Sequence, residues 1–140
     1  MRPRKTNSRP TDAEIEILNV LWRVGPTTVR AVHEEISETK PSQYTTTLKL
    51  MQIMVTKGHL RRDESERSHV YIPALAREHA QQQMAGDLME RAFSGSLRSL
   101  VMGALGGRRA TREELAELRA LIEEHEGGKQ GGTGQKGRTR

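Results

Sequence analysis

Apolar residues recur at helical spacing three times in the first 60 residues of the chain. The first repeat follows a capping box formed by Thr11 and Glu14 and predicts a helix over residues 11–23. A Gly-Pro break separates it from a second predicted helix over residues 28–38, and a third follows over residues 42–57. The first part of the chain is therefore predicted to consist of three short helices.

The third predicted helix begins with three successive threonines at positions 45–47, within the segment SQYTTTLKLMQIMVTKGHL. Ser42 is expected to cap this helix and Gly58 to end it. Threonine is a poor former of helix interiors because its branched Cβ restricts χ1. Three in succession cost stability unless their hydroxyl groups have a function, and contact with DNA would provide one.

The polar side of this helix carries hydroxyl, ammonium and amide groups, which suit contacts with the phosphates and base edges of DNA. The residues on that side are Thr45, Thr46, Lys49 and Gln52. The ammonium group of Lys49 suits contact with a guanine. The alternative interpretation is that the threonines only cap and fill an ordinary helix.

Two short extended segments, HLRRD and HVYIP, flank the polar connector ESERS and predict a β-hairpin that ends at Pro73. Three short helices followed by a hairpin form the winged helix-turn-helix plan, whose third helix normally enters the DNA major groove. Trp22 is expected in the core. Tyr71 is expected over the third helix, with an orientation towards the DNA as the alternative. Cations on the hairpin would contact the DNA backbone, although a solvated hairpin is the alternative, because three carboxylates neutralise half of the charge. These cations are Arg61, Arg62, Arg67 and His69.

Residues 74–126 carry further helical repeats, and a second capping box, Thr111 with Glu114, begins the last helix. So few apolar residues cannot form a self-sufficient core, so their apolar stripes are expected to face another subunit. The residues expected at this dimerisation interface are Met84, Leu88, Phe93, Leu97, Leu100, Val101, Leu115, Leu118 and Ile122. The predicted fold is mainly α with a small β-hairpin: an N-terminal winged helix-turn-helix followed by C-terminal dimerisation helices.

Charge is distributed unevenly along the chain, whose formal net charge is +5. Residues 1–10 and 127–140 each hold four basic residues and no acidic one. Both ends are poor in apolar residues, so we expect a flexible basic arm and a disordered Gly-rich basic tail. Between them we predict a winged-helix DNA-binding domain over residues 11–73 and a helical dimerisation domain over residues 74–126.

The sequence shows no catalytic or metal-binding constellation. It has no cysteine, which removes disulfides, thiolate metal sites and cysteine nucleophiles and suits a reducing cytoplasm. The five histidines are scattered, and carboxylates adjacent on a helix do not face one another. No apolar run approaches the length of a membrane span and no signal-peptide pattern is present. We therefore expect a cytoplasmic protein that is not an enzyme, with no cofactor, no metal and no direct membrane insertion.

Seven motifs stand in a distinctive order: TDAEIEILNVLW, TTVRAVHEEI, YTTTLKLMQIMVTKGHL, Arg67, YIP, FSGS and TREELAELRALIEE. In order and spacing, over residues 11–125, the chain resembles the penicillinase-repressor family. The resemblance implies a homodimeric winged-helix repressor whose C-terminal helices interlock and whose recognition helices read an inverted repeat, often built on TACA and TGTA. It places the family's Y-T-T at the DNA-reading end of the third helix and an arginine on the wing. The complete set of expected DNA contacts is Ser42, Gln43, Tyr44, Thr45, Thr46, Lys49, Gln52, Lys57, Arg61 and Arg67.

The resemblance also implies targets and a route of induction. The targets are β-lactam-resistance or cell-envelope and stress genes, together with the protein's own promoter. The β-lactam-responsive members are inactivated by proteolysis at an Asn-Phe bond under control of a membrane sensor, and the matching bond here joins Ala92 to Phe93. Family members tend to have a hydroxyl residue in place of Lys49 and a basic residue in place of Ile53, so operator preference is expected to differ. Copper-responsive relatives carry C-terminal cysteines that this chain lacks, so thiolate copper sensing is not expected.

Two other functions fit the same sequence pattern. A ligand-sensing winged-helix regulator would need a small-molecule pocket at the dimer junction, where the sequence shows no convergent set of polar residues. A winged-helix protein-interaction module that has lost DNA binding would be indifferent to Lys49→Ala and Arg67→Ala in a DNA assay.

Overall fold

The computed structural model of the chain describes residues 9–107 and 109–128. The described residues form six α-helices and one two-stranded hairpin. They belong to two compact units, of which the first ends at Leu88 and the second begins at Met89. The flexible arm and tail expected from the sequence lie almost entirely outside the described residues.

The first two helices begin at side-chain caps. Helix α1 spans Asp12–Val24, and its N-cap Thr11 shares a reciprocal capping box with Glu14, with N···O distances of 3.0 and 3.2 Å. Helix α2 spans Val29–Ser37, and the Thr28 hydroxyl accepts a hydrogen bond from a backbone N–H of its first turn. Both predicted helices are confirmed, with their ends shifted by one residue.

Helix α3 spans Tyr44–Lys57, but its N-cap is Gln43 and no side chain caps it. The expectation that Ser42 caps this helix is therefore wrong. The Ser42 hydroxyl oxygen instead lies 3.4 Å from that of Ser37 in α2, so it faces the neighbouring helix. Gly58 ends α3 as predicted, with a φ of 90° that side-chain-bearing residues rarely adopt.

The hairpin, which we call the wing, consists of strands β1 (Leu60–Asp63) and β2 (Val70–Pro73), paired antiparallel. Its attachment to the helices is partly through the backbone. The Tyr71 N–H donates to the Thr27 carbonyl at 2.8 Å, and the Thr27 N–H donates to the Tyr71 carbonyl at 3.3 Å. The segment between α1 and α2 thus extends the small sheet and fixes the wing to the helix-turn-helix.

The core of the first unit lies between the three helices and the wing, and Tyr71 is part of it with 2% exposure. Trp22 packs against this core and donates its indole N–H to the Leu75 carbonyl at 3.2 Å, as expected for a structural role. The most deeply buried core side chains are Ile17, Leu21, Val32, Met51 and Met54. This arrangement confirms a mainly α fold with a small β-hairpin and an N-terminal winged helix.

The remaining helices are α4 (Arg77–Ala92), α5 (Leu97–Gly106) and α6 (Arg112–Gly128). Helix α4 runs from the first compact unit into the second, so the compact units do not divide at residue 73, where the sequence analysis divides the functions. Helices α5 and α6 contain no buried residue. The assignment of residues 74–126 to dimerisation stays a prediction.

Candidate nucleic-acid interface

Helix α3 has two opposite faces. Thr47, Met51 and Met54 are buried in the core, whereas the residues on the other side are exposed. At 3.6 residues per turn, these exposed residues fall within roughly 120° of the helix circumference. They are Thr45, Thr46, Lys49, Gln52, Ile53 and, in the last turn, Thr56, and we call the first five of them the α3 outer face. The structure thus brings together the polar residues that the sequence placed on one side and adds one aliphatic side chain to them.

The three successive threonines divide between these faces. Thr45 and Thr46 point outward, but Thr47 is only 3% exposed. Its hydroxyl oxygen lies 3.0 Å from Nδ1 of His33, whose Nε2 lies 3.2 Å from the Ser37 hydroxyl oxygen. The third threonine therefore fixes α3 to α2, and its hydroxyl is not available to a ligand.

Tyr44, the first residue of α3, is held by two side chains from α2. His33 meets the Tyr44 ring edge-on, with ring centroids 5.6 Å apart at 85°. The Arg30 guanidinium carbon lies 5.1 Å from the ring centroid, within the range of a cation–π contact. Neither residue was expected at this site from the sequence. The spacing of Arg30 and His33 places them on one side of α2, but only helix packing shows that this side meets Tyr44.

The wing carries two kinds of arginine. Arg62 is held locally: hydrogen bonds to the Tyr71 and Glu64 side chains raise its pKa above the ordinary value, and its Nε lies 2.7 Å from a Glu64 oxygen. Arg61 and Arg67 are exposed and form no ion pair within residues 9–107 and 109–128. Of the wing arginines, Arg61 and Arg67 are therefore the ones whose charge is available to a polyanion such as DNA.

Lys57 lies apart from the other expected DNA contacts. Its Nζ is 2.8 Å and 3.1 Å from the two carboxylate oxygens of Glu14 in α1. The two side chains are 20% and 3% exposed, so the ammonium group is committed to a largely buried ion pair. This ion pair favours a structural role for Lys57 over the DNA contact expected from the sequence.

The residues expected at a dimer interface are partly or fully exposed in the single chain. Leu97 is 63% exposed on α5 and Ile122 is 59% exposed on α6. Leu88, Val101 and Leu118 are also exposed, and Met84, Phe93, Leu100 and Leu115 are half-buried. The Phe93 ring packs against Gly103 within the second unit, where a Cβ on the glycine would lie 3.2 Å from it.

The Ala92-Phe93 peptide bond directly follows the end of α4. The Phe93 N–H donates to the Met89 carbonyl at 3.0 Å, so this bond is held in a helical turn. Ser94 and Gly95 then adopt positive φ values of 52° and 76° and turn the chain away. The backbone here is folded rather than extended.

Within residues 9–107 and 109–128, no group of three or more His, Asp or Glu side chains is placed to hold a metal ion. No helix in this part of the chain is both long enough and apolar enough to cross a membrane.

The chain is also similar over most of its length to known regulatory proteins. The chain is 27% identical over 115 residues to the penicillinase repressor of Bacillus licheniformis, covering 82% of this chain and 90% of that relative. It is 29% identical over 117 residues to the transcriptional regulator BlaI of Mycobacterium tuberculosis, covering 83% and 85% of the two chains. The model of the penicillinase repressor family matches residues 10–124. The protein therefore belongs to the penicillinase repressor family.

Proposed function

We propose that this protein is a transcriptional repressor that binds double-stranded operator DNA as a homodimer, through the α3 outer face and the wing. Membership of the family supports repression as the function and gives no reason to expect an enzyme. The observation that carries the DNA-binding proposal is the division of α3 into a core-packed face and an exposed face bearing Thr45, Thr46 and Lys49. An exposed helix face of this width fits the DNA major groove.

The exposed residues would divide the work of binding. Lys49 has no ion-pair partner within the described residues and suits a guanine O6 or N7, while the hydroxyls of Thr45 and Thr46 suit base edges or phosphates. Arg61 and Arg67 would contact phosphates, which position the protein without specifying sequence. Ser42, Gln43, Tyr44 and Gln52 would contribute from the start and the side of α3.

The homodimer is supported by the apolar surface of the second unit. Leu97, Leu121 and Ile122 are each about 60% exposed, and a second copy would remove this surface from water. A two-fold symmetric dimer carries two α3 helices, which requires an inverted repeat with half-sites about 10 bp apart or a multiple of that. Binding over a promoter would then exclude RNA polymerase.

The targets we propose are the protein's own promoter and β-lactam-resistance or cell-envelope and stress genes, in line with the name of the Bacillus licheniformis relative. Relief of repression would occur through a membrane sensor and protease that cut between Ala92 and Phe93. Because the Phe93 N–H is hydrogen-bonded within a helical turn, this cut requires the end of α4 to unfold locally first.

The test is a footprint of the purified full-length protein on the DNA upstream of its own gene, at about 0.15 M salt with excess competitor DNA. We expect protection of a two-fold symmetric site. Lys49→Ala should weaken binding to that site by roughly 5- to 150-fold, the value of one base contact. Arg23→Ala is the matched control, because it removes a cation from α1, where Arg23 pairs with Glu35.

Equal binding by the wild-type protein and the Lys49→Ala and Thr46→Ala variants would contradict the proposal. Loss of the protection when competitor DNA is added would also contradict it, because the basic ends of the chain alone supply non-specific affinity for DNA. Either result would favour a winged-helix domain whose partner is another protein.

A further inference from the structure

Ile53 is an aliphatic side chain among polar neighbours on the α3 outer face. It is 39% exposed and lies four residues after Lys49, one turn further along the same side of the helix. Together with Thr45, Thr46, Lys49 and Leu50 it lines a shallow depression of about 380 Å³, formed by α3 side chains alone. The outer face thus carries an apolar patch beside its cation.

Core packing does not account for Ile53. The helix meets the core with Met51 and Met54, which have no exposed surface, and Leu50 and Val55 pack against the edge of that core. Ile53 is outside this cluster. Single exposed aliphatic residues are ordinary on protein surfaces, but this one stands on the face that we propose to enter the major groove.

The major groove offers one kind of apolar group to a protein, the C5 methyl group of thymine. Four residues of α-helix advance about 6 Å, and successive base pairs are about 3.4 Å apart. A residue one turn beyond Lys49 therefore reaches a base pair about two steps from the one that Lys49 contacts. Ile53 has no polar group for hydrogen bonding there, so a thymine methyl is its complementary partner.

We propose, on the basis of the DNA-binding function proposed above, that Ile53 is a specificity-determining residue that selects thymine by packing against its C5 methyl group. The thymine lies about two base pairs from the guanine read by Lys49 and occurs once in each half-site. Ile53 thus supplies an apolar contact beside the ionic one.

The test removes this methyl group alone. Duplexes that bind the full-length protein are selected from a random-sequence pool. Each thymine of the selected site is then replaced in turn by uracil, which lacks only the C5 methyl group. Titration of labelled duplex gives the affinity of the wild-type protein and of three variants, Ile53→Ala, Ile53→Val and Val24→Ala. Val24 is the matched control because it is an aliphatic residue 46% exposed at the end of α1.

For the wild-type protein, we expect one thymine per half-site at which replacement by uracil weakens binding about fourfold, which corresponds to the free energy of burying one methyl group. Ile53→Ala should lose this sensitivity at that thymine only, while Ile53→Val and Val24→Ala retain it. A specific site with no sensitive thymine, or one equally sensitive in wild type and Ile53→Ala, would overturn the inference and leave the proposed function intact. Failure to select any sequence would refute the function itself, and the inference with it.

Discussion

The ion pair between Glu14 and Lys57 lends itself to a quantitative test. Both carboxylate oxygens of Glu14 face the Lys57 ammonium, and Oε1 also accepts the Thr11 N–H of the capping box at 3.0 Å. The pair therefore links the first turn of α1 to the last turn of α3. The perturbation is Lys57→Ala, which removes the ammonium group and leaves the carboxylate in place.

The cost follows from the burial of the pair. With its side chain 3% exposed, Glu14 would keep only the Thr11 N–H and would hold an uncompensated charge away from water. Removing one partner of a buried ion pair destabilises a protein by about 3–5 kcal/mol. Because Lys57 is 20% exposed, water can enter the space it leaves, so we expect about 3 kcal/mol, or roughly a 10 °C fall in Tm.

The assay is urea unfolding at a fixed chain concentration, followed by fluorescence of the sole tryptophan, Trp22, which belongs to the first unit. Lys40→Ala is the matched control: its Nζ lies 3.0 Å from Glu16 in α1, but the two side chains are 50% and 47% exposed. An exposed pair contributes less than about 1 kcal/mol. Glu14→Gln supplies the second arm of a double-mutant cycle.

The effect of Glu14→Gln on the free energy of unfolding should have opposite signs in the wild-type protein and in the Lys57→Ala variant. In the wild-type protein it removes the ion pair and destabilises, whereas in Lys57→Ala it removes a stranded charge and stabilises. The reasoning would be refuted if Lys57→Ala cost no more than Lys40→Ala, or if Glu14→Gln had the same effect in both backgrounds. Well below its Tm, Lys57→Ala should bind operator DNA with wild-type affinity and salt dependence.

Three further predictions concern other parts of the chain. Thr47→Val leaves His33 without its partner between α2 and α3 and should lower the free energy of unfolding by about 1–3 kcal/mol, measured in urea. Ile122→Glu places a charge on the exposed apolar side of α6 and should shift sedimentation from dimer to monomer; an unchanged dimer would place the interface elsewhere. Hydrogen bonds from Ser65 lower the pKa of Asp63. The wing turn should therefore keep this stabilisation above pH 3.8 and lose it as the pH falls below that value. An Asp63 carboxyl NMR signal that titrates above pH 3.8 would contradict this.

Features set by neighbouring residues could be predicted from the sequence. The capping box of Thr111 and Glu114, with N···O distances of 3.0 and 3.1 Å, forms at the start of α6 as it does at the start of α1. The glycine stop after α3 and both wing strands also follow from local chemistry. These signals are readable because the interacting groups are only a few residues apart.

The rest depends on packing between distant segments. Glu14 and Lys57 are 43 residues apart, so the sequence shows two charges but not that they meet. The preference of serine for N-cap positions also misled: the chain enters α3 one residue later, and Ser42 faces Ser37 of α2 instead. For the candidate interface, helical periodicity was enough to group the outer-face residues. The contacts of Arg30 and His33 with Tyr44 depend on the packing of α2 against α3, which the sequence does not show.

The pairing of Thr27 with Tyr71 has a consequence for the solubility of the protein. Because Thr27 covers one side of β2, β1 is the edge strand of this small sheet among the described residues. An edge strand presents unpaired backbone groups on which another chain can add a strand, and charged side chains discourage that addition. The β1 residues Arg61, Arg62 and Asp63 provide such charges. Exchanging Arg61 for a neutral residue to weaken DNA binding should therefore also make the protein more prone to aggregate.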